Sequence, residues 1–390
     1  MDEAGRRVAS GTTALVVGGT GPTGPDIVEG LVRRGYQTSV FHSGKHEVPL
    51  PADVEHIHGD PHFPETINEA LNGRSFDVVI AQYGRLRHLV DYLRGRAGHV
   101  VAIGGMMGPV LPPTHPRWGP LGRPAILRES QRYLVSSKED GDTLAWRIAE
   151  ASRTLFAAHE AGGFTATYIV YPNLYGPHQP GSPEWSIVRR IRDGRRKIIL
   201  PDGGLRLEAR GYVHNVSRAP LLAVDNPAVA AGATYVVTDH DLYTTRQRVE
   251  YIARHMGAEI EIIDMPYELA TPAHPFYRHG PDHRAGMSDR IRDELGYVDR
   301  VDVATALGAT LDWLLASPEA TAEVEQQLGD PFDYAFEDEL IAWWQKVLKE
   351  APKPDWTFTY SHMYRHPKQV GEDWRPAAGA SGLGAKQSDV

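Results

Sequence analysis

Short apolar runs alternate with segments of helical periodicity over the first 170 residues of the chain. Behind the first run, Ile27, Leu31 and Val32 recur at the spacing of one helix face. The apolar runs predict strands at 13–17, 37–41, 54–59, 76–81, 99–103 and 165–170, and the periodic segments predict helices at 26–34, 65–71, 86–96 and 141–161. Strands that alternate with helices are covered on both faces, so the pattern predicts an α/β fold with a doubly wound parallel sheet.

The pattern loosens after residue 171. Proline and glycine interrupt the apolar runs there, which is typical of a smaller lobe that binds a substrate. Helical spacing returns at 303–315 and at 332–347, and an aromatic segment follows at 355–360. We expect four parts, with later segments returning to the first: a core domain at 1–177, a C-terminal substrate lobe at 178–330, a helical and aromatic extension at 331–376, and a disordered tail at 377–390.

Composition excludes several classes of function. The 390 residues carry a formal net charge of −9, which provides no basic surface, so we expect no nucleic-acid partner. No run of eighteen apolar residues occurs and the first residues lack the apolar centre of a signal peptide, so we expect a cytoplasmic protein without membrane association. The chain contains no cysteine, which excludes disulfides and thiolate metal sites.

The most informative motif follows the first apolar run, where glycines stand at positions 18, 19, 21 and 24. A strand that ends in spaced glycines and enters a helix holds a dinucleotide pyrophosphate, because backbone N–H groups and the positive helix end approach the phosphates. An ordinary glycine-rich turn is the alternative. The order of strand, loop and helix favours a Rossmann-type core, with these predicted contacts to the cofactor: Gly18, Thr20, Gly21, Pro22, Thr23 and Gly24.

The spacing Gly18-x-x-Gly21-x-x-Gly24 resembles the extended and atypical short-chain dehydrogenase/reductase superfamily, which includes NAD-dependent epimerases and dehydratases. Three further segments resemble family motifs in the same order: 171–177 (YPNLYGP), 210–216 (RGYVHNV) and 288–297 (SDRIRDELGY). The first has Tyr171 in place of the usual arginine and is one residue shorter. The resemblance covers roughly residues 12–315.

The resemblance implies roles for particular residues. Tyr171, Asn173 and Leu174 would lie along the nicotinamide, and Arg210 would meet a phosphate of the substrate. His178 and His214 would border the substrate, with a structural role for His214 as an equal alternative. The family also implies a small-molecule substrate and a homodimer.

The end of the second predicted strand bears on the choice of cofactor. An acid there would bind the ribose 2′-hydroxyl of NAD, but no acid occurs before Glu47. His42, Ser43 and Lys45 would instead favour the 2′-phosphate, so we expect NADP, with NAD as the less favoured alternative. Asp60 resembles the family position that meets the adenine, although a turn or cap role explains it equally well.

The catalytic centre departs from the family pattern, which pairs a Ser or Thr after strand five with Tyr-x-x-x-Lys on the next helix. Here Gly104, expected to border the cofactor, is followed by no hydroxyl through residue 108, and the helix offers Thr143 and Arg147 at the corresponding positions. Threonine is too weak an acid to replace tyrosine, whereas Arg147 can bind ribose hydroxyls. Tyr133 and Tyr83 are the alternative proton donors.

Histidines form two groups in the sequence: 56, 58 and 62, and 274, 279 and 283. Strand alternation places His56 and His58 on one face, which suits zinc, but no acidic partner is evident beside them. Histidines on strands and loops more often form hydrogen bonds or face solvent. We therefore expect no metal.

The leading functional hypothesis is an NAD(P)-dependent oxidoreductase that acts on a small organic carbonyl or alcohol, with a non-standard catalytic centre. The alternative is an epimerase, dehydratase or lyase that retains its dinucleotide. A third reading, from another class, is an NADP-binding sensor or scaffold without turnover, which the missing Tyr-x-x-x-Lys favours and the substrate-lobe motifs disfavour.

Overall fold

The computed structural model describes residues 7–82, 86–105, 114–127, 144–277 and 280–355, and its central sheet has seven parallel strands. The strands are β1 (Thr13–Val17), β2 (Gln37–His42), β3 (Glu55–His58), β4 (Phe76–Gln82), β5 (Ala97–Gly105), β6 (Ile126–Leu127), β7 (Thr165–Tyr171), β8 (Asn173–Tyr175), β9 (Lys197–Pro201), β10 (Arg210–Tyr212), β11 (Thr234–Val236), β12 (Glu261–Met265) and β13 (Ala285–Gly286). The helices are α1 (Gly24–Arg33), α2 (Pro64–Leu71), α3 (Leu86–Leu93), α4 (Leu144–Glu160), α5 (Glu184–Arg192), α6 (Val213–Val216), α7 (Arg218–Asp225), α8 (Pro227–Ala230), α9 (Thr245–His255), α10 (Asp289–Leu295), α11 (Val303–Ala316), α12 (Pro318–Leu328) and α13 (Tyr334–Glu350).

The predicted sheet is confirmed, and all six predicted strands lie within two residues of the observed bounds. The predicted helix at 86–96 is too long, since α3 ends at Leu93. Gly95 adopts φ +70° and the Arg96 N–H bonds to the Leu93 carbonyl, which closes a turn into β5. The short strand β11 is missed by the sequence pattern, because three residues are too few to show a periodicity.

The strand order of the central sheet is β3-β2-β1-β4-β5-β7-β11. The chain therefore moves outward from β1 to β3 and then crosses back to β4 on the other side of β1. The crevice between the carboxyl ends of β1 and β4 is the topological switch point, where ligands bind in open parallel sheets. The glycine loop begins at this edge, directly after β1.

The interior strands are buried on both faces, as the continuous apolar runs predict. A segment from beyond residue 200 also packs against the sheet: α7 lies on α1, and β11 pairs with β7. Arg34 at the end of α1 forms two hydrogen bonds with Asp225 of α7, at 2.6 and 2.8 Å. The segment that contains α7 and β11 is thus held against the core by an ion pair as well as by helix and strand packing.

Outside the central sheet, three short parallel pairs organise the rest of the described chain: β8 with β10, β9 with β12, and β6 with β13. The chain up to Phe332 forms one compact unit, and α13 belongs to a second unit. Asp333 caps α13 by accepting the Phe336 N–H. Residues 356–390, with most of the predicted aromatic segment and the whole predicted tail, lie outside the described residues. None of the helices in the described ranges combines the length and the apolarity that a membrane span requires.

Candidate functional site

The loop between β1 and α1 is built around glycines that the protein itself requires. Gly18 adopts φ +79° and donates its N–H to the Phe41 carbonyl at 2.9 Å. A Cβ at Gly24 would lie 2.0 Å from the Gly19 carbonyl oxygen, and one at Gly19 would lie 3.0 Å from a Val40 methyl. The loop therefore packs against itself and against β2 more closely than any side chain permits.

Gly21 differs from the other glycines of the loop. Its φ is not positive, and a Cβ there would make only an ordinary contact, 3.8 Å from the Gly18 carbonyl oxygen. Among the described residues, no neighbouring atom requires glycine at this position. Thr20, Gly21 and Pro22 form the accessible tip of the loop, whereas Thr23 and Gly24 are buried. Close approach of a pyrophosphate to the backbone is the remaining physical reason for a glycine, so the loop fits a dinucleotide.

Thr23 points into the protein. Its hydroxyl donates to the Gln82 side-chain carbonyl at 2.8 Å, which ties the start of α1 to the end of β4. Within the described chain the Gln82 Nε2 is buried without a hydrogen-bond partner. The predicted cofactor contact of Thr23 is therefore available through its backbone and not through its side chain. No sequence motif singles out Gln82.

The charges at the end of β2 differ from those expected of a site for the 2′-phosphate of NADP. His42 is only 3% exposed, and burial lowers the pKa of its imidazole, so the ring is neutral near pH 7. Glu47 returns to the strand end and lies 3.8 Å from His42, so an acid does reach this position. Sequence reasoning missed it because Glu47 is five residues beyond the strand. Ser43 and Lys45 are exposed.

Asp60 acts in the turn after β3. Its carboxylate accepts the His62 backbone N–H at 2.9 Å and contacts the His62 ring at 2.7 Å, and these bonds lower the pKa of Asp60. Its backbone carbonyl accepts the Thr66 hydroxyl. The turn role considered from the sequence is present, and an adenine contact stays a prediction.

Tyr171, Asn173 and Leu174 follow the sheet edge at the end of β7. Tyr171 is buried and its hydroxyl donates to the Val216 carbonyl at 3.0 Å. The Asn173 amide donates to Glu208 at 2.6 Å, and Leu174 is buried. The three side chains anchor the segment, so a contact with the nicotinamide would be made through the backbone here.

Arg210 lies in the interior, 2% exposed, with its guanidinium 2.7 Å from Glu184 and 3.6 Å from Glu208. The guanidinium also lies over the Tyr175 ring. These carboxylates neutralise the charge that the family resemblance assigns to a substrate phosphate. The observed contacts support a structural role that joins α5 to β10.

The two substrate histidines lie in different places. His214 lies 2.6 Å from Asp26 in the first turn of α1, and this hydrogen bond raises the pKa of His214. His178 has φ +63° and its ring lies 5.4 Å from that of Trp313 in α11. The structure thus brings His214, but not His178, beside the helix that starts at the glycine loop.

The catalytic candidates are described only in part. Arg147 lies exposed in the first turn of α4. Tyr83, Tyr133 and Thr143 lie outside the described residues. At Gly104 a Cβ would lie 1.8 Å from the Tyr168 hydroxyl, so packing within the sheet accounts for this glycine.

The first histidine group gains an acidic partner that the sequence does not reveal. His42, Glu47, His56 and His58 converge so that one ligating atom of each lies within 4.8 Å of the others. In the second group, His274 contacts the Tyr267 carbonyl at 3.2 Å and His283 accepts the Leu207 N–H at 3.0 Å, while His279 lies outside the described residues.

No protein-family model matches the chain. A dTDP-glucose 4,6-dehydratase of Streptomyces griseus is 28% identical over 191 residues, which are 48% of this chain and 51% of that protein. The chain therefore matches about half the length of this curated relative.

Solved structures of similar fold cover more of the chain. The dTDP-glucose 4,6-dehydratase of Bacillus anthracis, in complex with NAD, has a TM-score of 0.60 at 15% identity and covers 79% of this chain and 98% of its own. The UDP-glucose 4-epimerase of Thermotoga maritima, with UDP-glucose, has a TM-score of 0.60 at 15% identity, covering 78% and 99%. The chain thus has the fold of the extended short-chain dehydrogenase/reductases, the superfamily that its sequence motifs resemble.

Proposed function

We propose that the chain is an NAD-dependent enzyme that epimerises or dehydrates a nucleotide sugar and keeps its dinucleotide bound through the reaction. The glycine loop carries the proposal, because it lies at the switch point of the sheet and no contact among the described residues requires Gly21 to be glycine. The dehydratase and epimerase relatives support the substrate class. This assignment replaces net oxidation or reduction of a small carbonyl as the leading function.

The residues that would hold the dinucleotide are those at the loop tip and at the start of α1. The backbone of Thr20 and Gly21 would meet the pyrophosphate, and the positive end of α1 would stabilise its charge. A dinucleotide held by these residues would supply reversible hydride transfer to and from a sugar carbon within one turnover. This cycle leaves no net change in the cofactor.

NAD rather than NADP is the proposed form. In the metal-free protein, Glu47 places a negative charge at the end of β2 and the buried His42 is neutral, so neither residue favours a 2′-phosphate. The exposed Lys45 is the one positive charge among the predicted contacts here, and it would favour a 2′-phosphate. Measured after treatment with a metal chelator, the affinity for NAD should exceed that for NADP, and equal or reversed affinities would contradict this assignment.

The proton chemistry is assigned to two tyrosines that lie outside the described residues. As the sugar hydroxyl becomes a carbonyl, its proton must pass to a base, and a tyrosine is the group of suitable chemistry. Tyr83 follows β4 directly, and Tyr133 precedes α4. Arg147 cannot exchange protons at neutral pH and is proposed to bind ribose hydroxyls.

The experiment incubates the purified chain with dTDP-glucose or UDP-glucose under anaerobic conditions, with NAD present. Nuclear magnetic resonance follows the sugar, and absorbance follows the nicotinamide. A changed sugar without net nicotinamide reduction supports the proposal. Net consumption would establish an oxidoreductase instead, tight binding without chemistry would establish a sensor, and absence of dinucleotide binding would contradict all three.

Single variants Tyr83→Phe and Tyr133→Phe then identify the proton-transfer group. The variant that removes it should lower kcat by at least about 100-fold with unchanged dinucleotide affinity. The other variant is its matched control. Full turnover in both variants would exclude both tyrosines as the proton-transfer group.

A further inference from the structure

Four side chains with metal-binding atoms meet at one end of the central sheet. His42 ends β2, His56 and His58 stand on β3, and Glu47 comes from the connecting loop. The strand register pairs His42 with His58, and alternation along β3 places His56 on the same face as His58. Strand pairing therefore fixes the three imidazoles side by side before the loop contributes its carboxylate.

Several distances between these atoms are close to the edge of a coordination tetrahedron, and all ligating atoms of the group lie within 4.8 Å of one another. His42 Nε2 lies 3.2 Å from His56 Nδ1, and Glu47 oxygens lie 3.8, 3.5 and 3.3 Å from His42, His56 and His58. A zinc ion bound at about 2.0–2.1 Å holds tetrahedral ligands about 3.3–3.4 Å apart. Binding of an ion would replace the hydrogen bond between His42 and His56 and draw the four atoms to these separations.

We propose that His42, Glu47, His56 and His58 bind one divalent transition-metal ion, with zinc as the preferred ion. Three imidazoles and one carboxylate suit zinc, whereas magnesium and calcium require mostly oxygen ligands. The single carboxylate balances part of the charge of the ion. His56, His58 and Glu47 are partly exposed, so the ion can enter from solvent.

The connecting loop is shaped to deliver the carboxylate. Gly44 turns the chain with φ +72° and packs against the His58 ring, which directs the following residues back over β3. Its N–H contacts His42 Nδ1 at 3.4 Å, a weak bond that is given up when His42 Nε2 binds an ion. A bound ion would join β2, β3 and this loop, and would stabilise the folded chain.

The nearby His62 offers a matched control. It lies in the loop after β3 and is paired with Asp60 at 2.7 Å, but it does not belong to the group of four. His62 and Asp60 therefore form a histidine–carboxylate pair at the surface that lies outside the group of four ligating side chains. His62→Asn removes an accessible histidine and leaves the proposed site intact.

The test uses the full chain after treatment with a chelator. Calorimetric titration with ZnCl₂ should show one equivalent bound, and Co²⁺ should give the intense visible spectrum of tetrahedral coordination. Glu47→Gln and the double variant His56→Asn/His58→Asn should weaken zinc binding at least about 100-fold, while His62→Asn should bind as the parent does. Circular dichroism confirms that each variant is folded, and the Glu47 variant changes only an exposed loop residue.

Three results would overturn the proposal. One is the absence of stoichiometric zinc binding, which would leave the cluster as an ordinary hydrogen-bonded group. The second is an octahedral Co²⁺ spectrum, and the third is equal affinity in the parent and the double variant. Because these measurements need neither dinucleotide nor sugar, their failure is distinguishable from failure of the proposed function.

Discussion

Among single residues, the glycines of the first loop are present for different physical reasons. Gly18 provides a positive φ, and Gly24 lets the loop fold onto the Gly19 carbonyl. Gly21 meets neither condition, and its proposed role is contact with the pyrophosphate. Two of these reasons concern folding and one concerns binding, so substitutions can separate them.

Gly24→Ala should destabilise the protein by at least about 2–3 kcal/mol, because the new methyl overlaps a backbone oxygen that cannot move freely. Gly21→Ala should leave the free energy of unfolding within about 0.5 kcal/mol of the parent and weaken dinucleotide binding at least about tenfold. Urea unfolding and dinucleotide titration measure the two effects. Parent-like dinucleotide affinity in the folded Gly21 variant would contradict the assigned role of the loop.

His99 is a buried residue whose titration should be visible in stability. Its Nε2 lies 2.9 Å from the Thr167 hydroxyl, which donates to the Ala230 carbonyl, so Nε2 carries the proton. Burial, with a smaller contribution from His159, lowers the pKa of His99 from near 6.5 to about 4. The unfolded state therefore binds more protons than the folded state between these values, and stability rises with pH across this window.

The expected contribution of His99 is about 3 kcal/mol, fully present above pH 6.5 and lost as pH falls to 4. In His99→Gln, the decrease in unfolding free energy between pH 6.5 and 4 should be smaller than in the parent by about this amount. Chemical denaturation at a series of pH values measures it. Parallel pH profiles for the two proteins would show that His99 does not titrate as assigned.

At the level of elements, α1 is held in place by α7, which comes from nearly 200 residues later in the chain. The Arg34–Asp225 pair is largely buried, and Arg34 also donates to the Gly30 carbonyl. On the outer face of α1, Arg33 and Glu29 form an exposed pair at 3.1 Å. One helix thus carries a buried and an exposed ion pair for direct comparison.

Asp225→Ala should lower the free energy of unfolding by about 3 kcal/mol, because it leaves a buried guanidinium without its carboxylate. Glu29→Ala should change it by less than about 0.5 kcal/mol, since exposed pairs are screened by water. Both values come from urea unfolding at neutral pH. Equal effects of the two substitutions would show that burial does not control the strength of the pair.

At the scale of the whole molecule, a buried ion pair joins two elements that lie beside the edge of the central sheet. Glu184 begins α5 and Arg210 stands on β10, whose partner β8 follows the sheet strand β7. The pair spans these elements at 2.7 Å and is almost fully buried. The pair therefore fixes α5 against β10, beside the strand that continues from the sheet.

Arg210→Met and Glu184→Gln should each destabilise the protein by about 3 kcal/mol, and the double variant should recover part of the loss because no uncompensated charge remains. A double-mutant cycle of unfolding free energies measures this coupling. A raised KM with parent-like stability in the Arg210 variant would instead establish the substrate contact that the family resemblance implies.

Local patterns in the sequence determined six of the seven strands of the central sheet, helices α1 and α2 to within two residues, and the glycine loop. Apolar runs identify buried parallel strands, and the glycine spacing reports backbone constraints within seven residues. The family resemblance follows from these local motifs. It holds at the level of the fold, and the place of the dinucleotide at the sheet edge stays a prediction.

Tertiary structure alone decided which side chains meet across long stretches of chain. The sequence motif suggested that Arg210 faces a phosphate, but folding places Glu184 and Glu208 against it. The absence of an early acid after β2 suggested NADP, which stays untested, and the loop brings Glu47 back among three histidines. These contacts depend on strand register and loop path, which local periodicity does not encode, and they determine the charge and chemistry of the site.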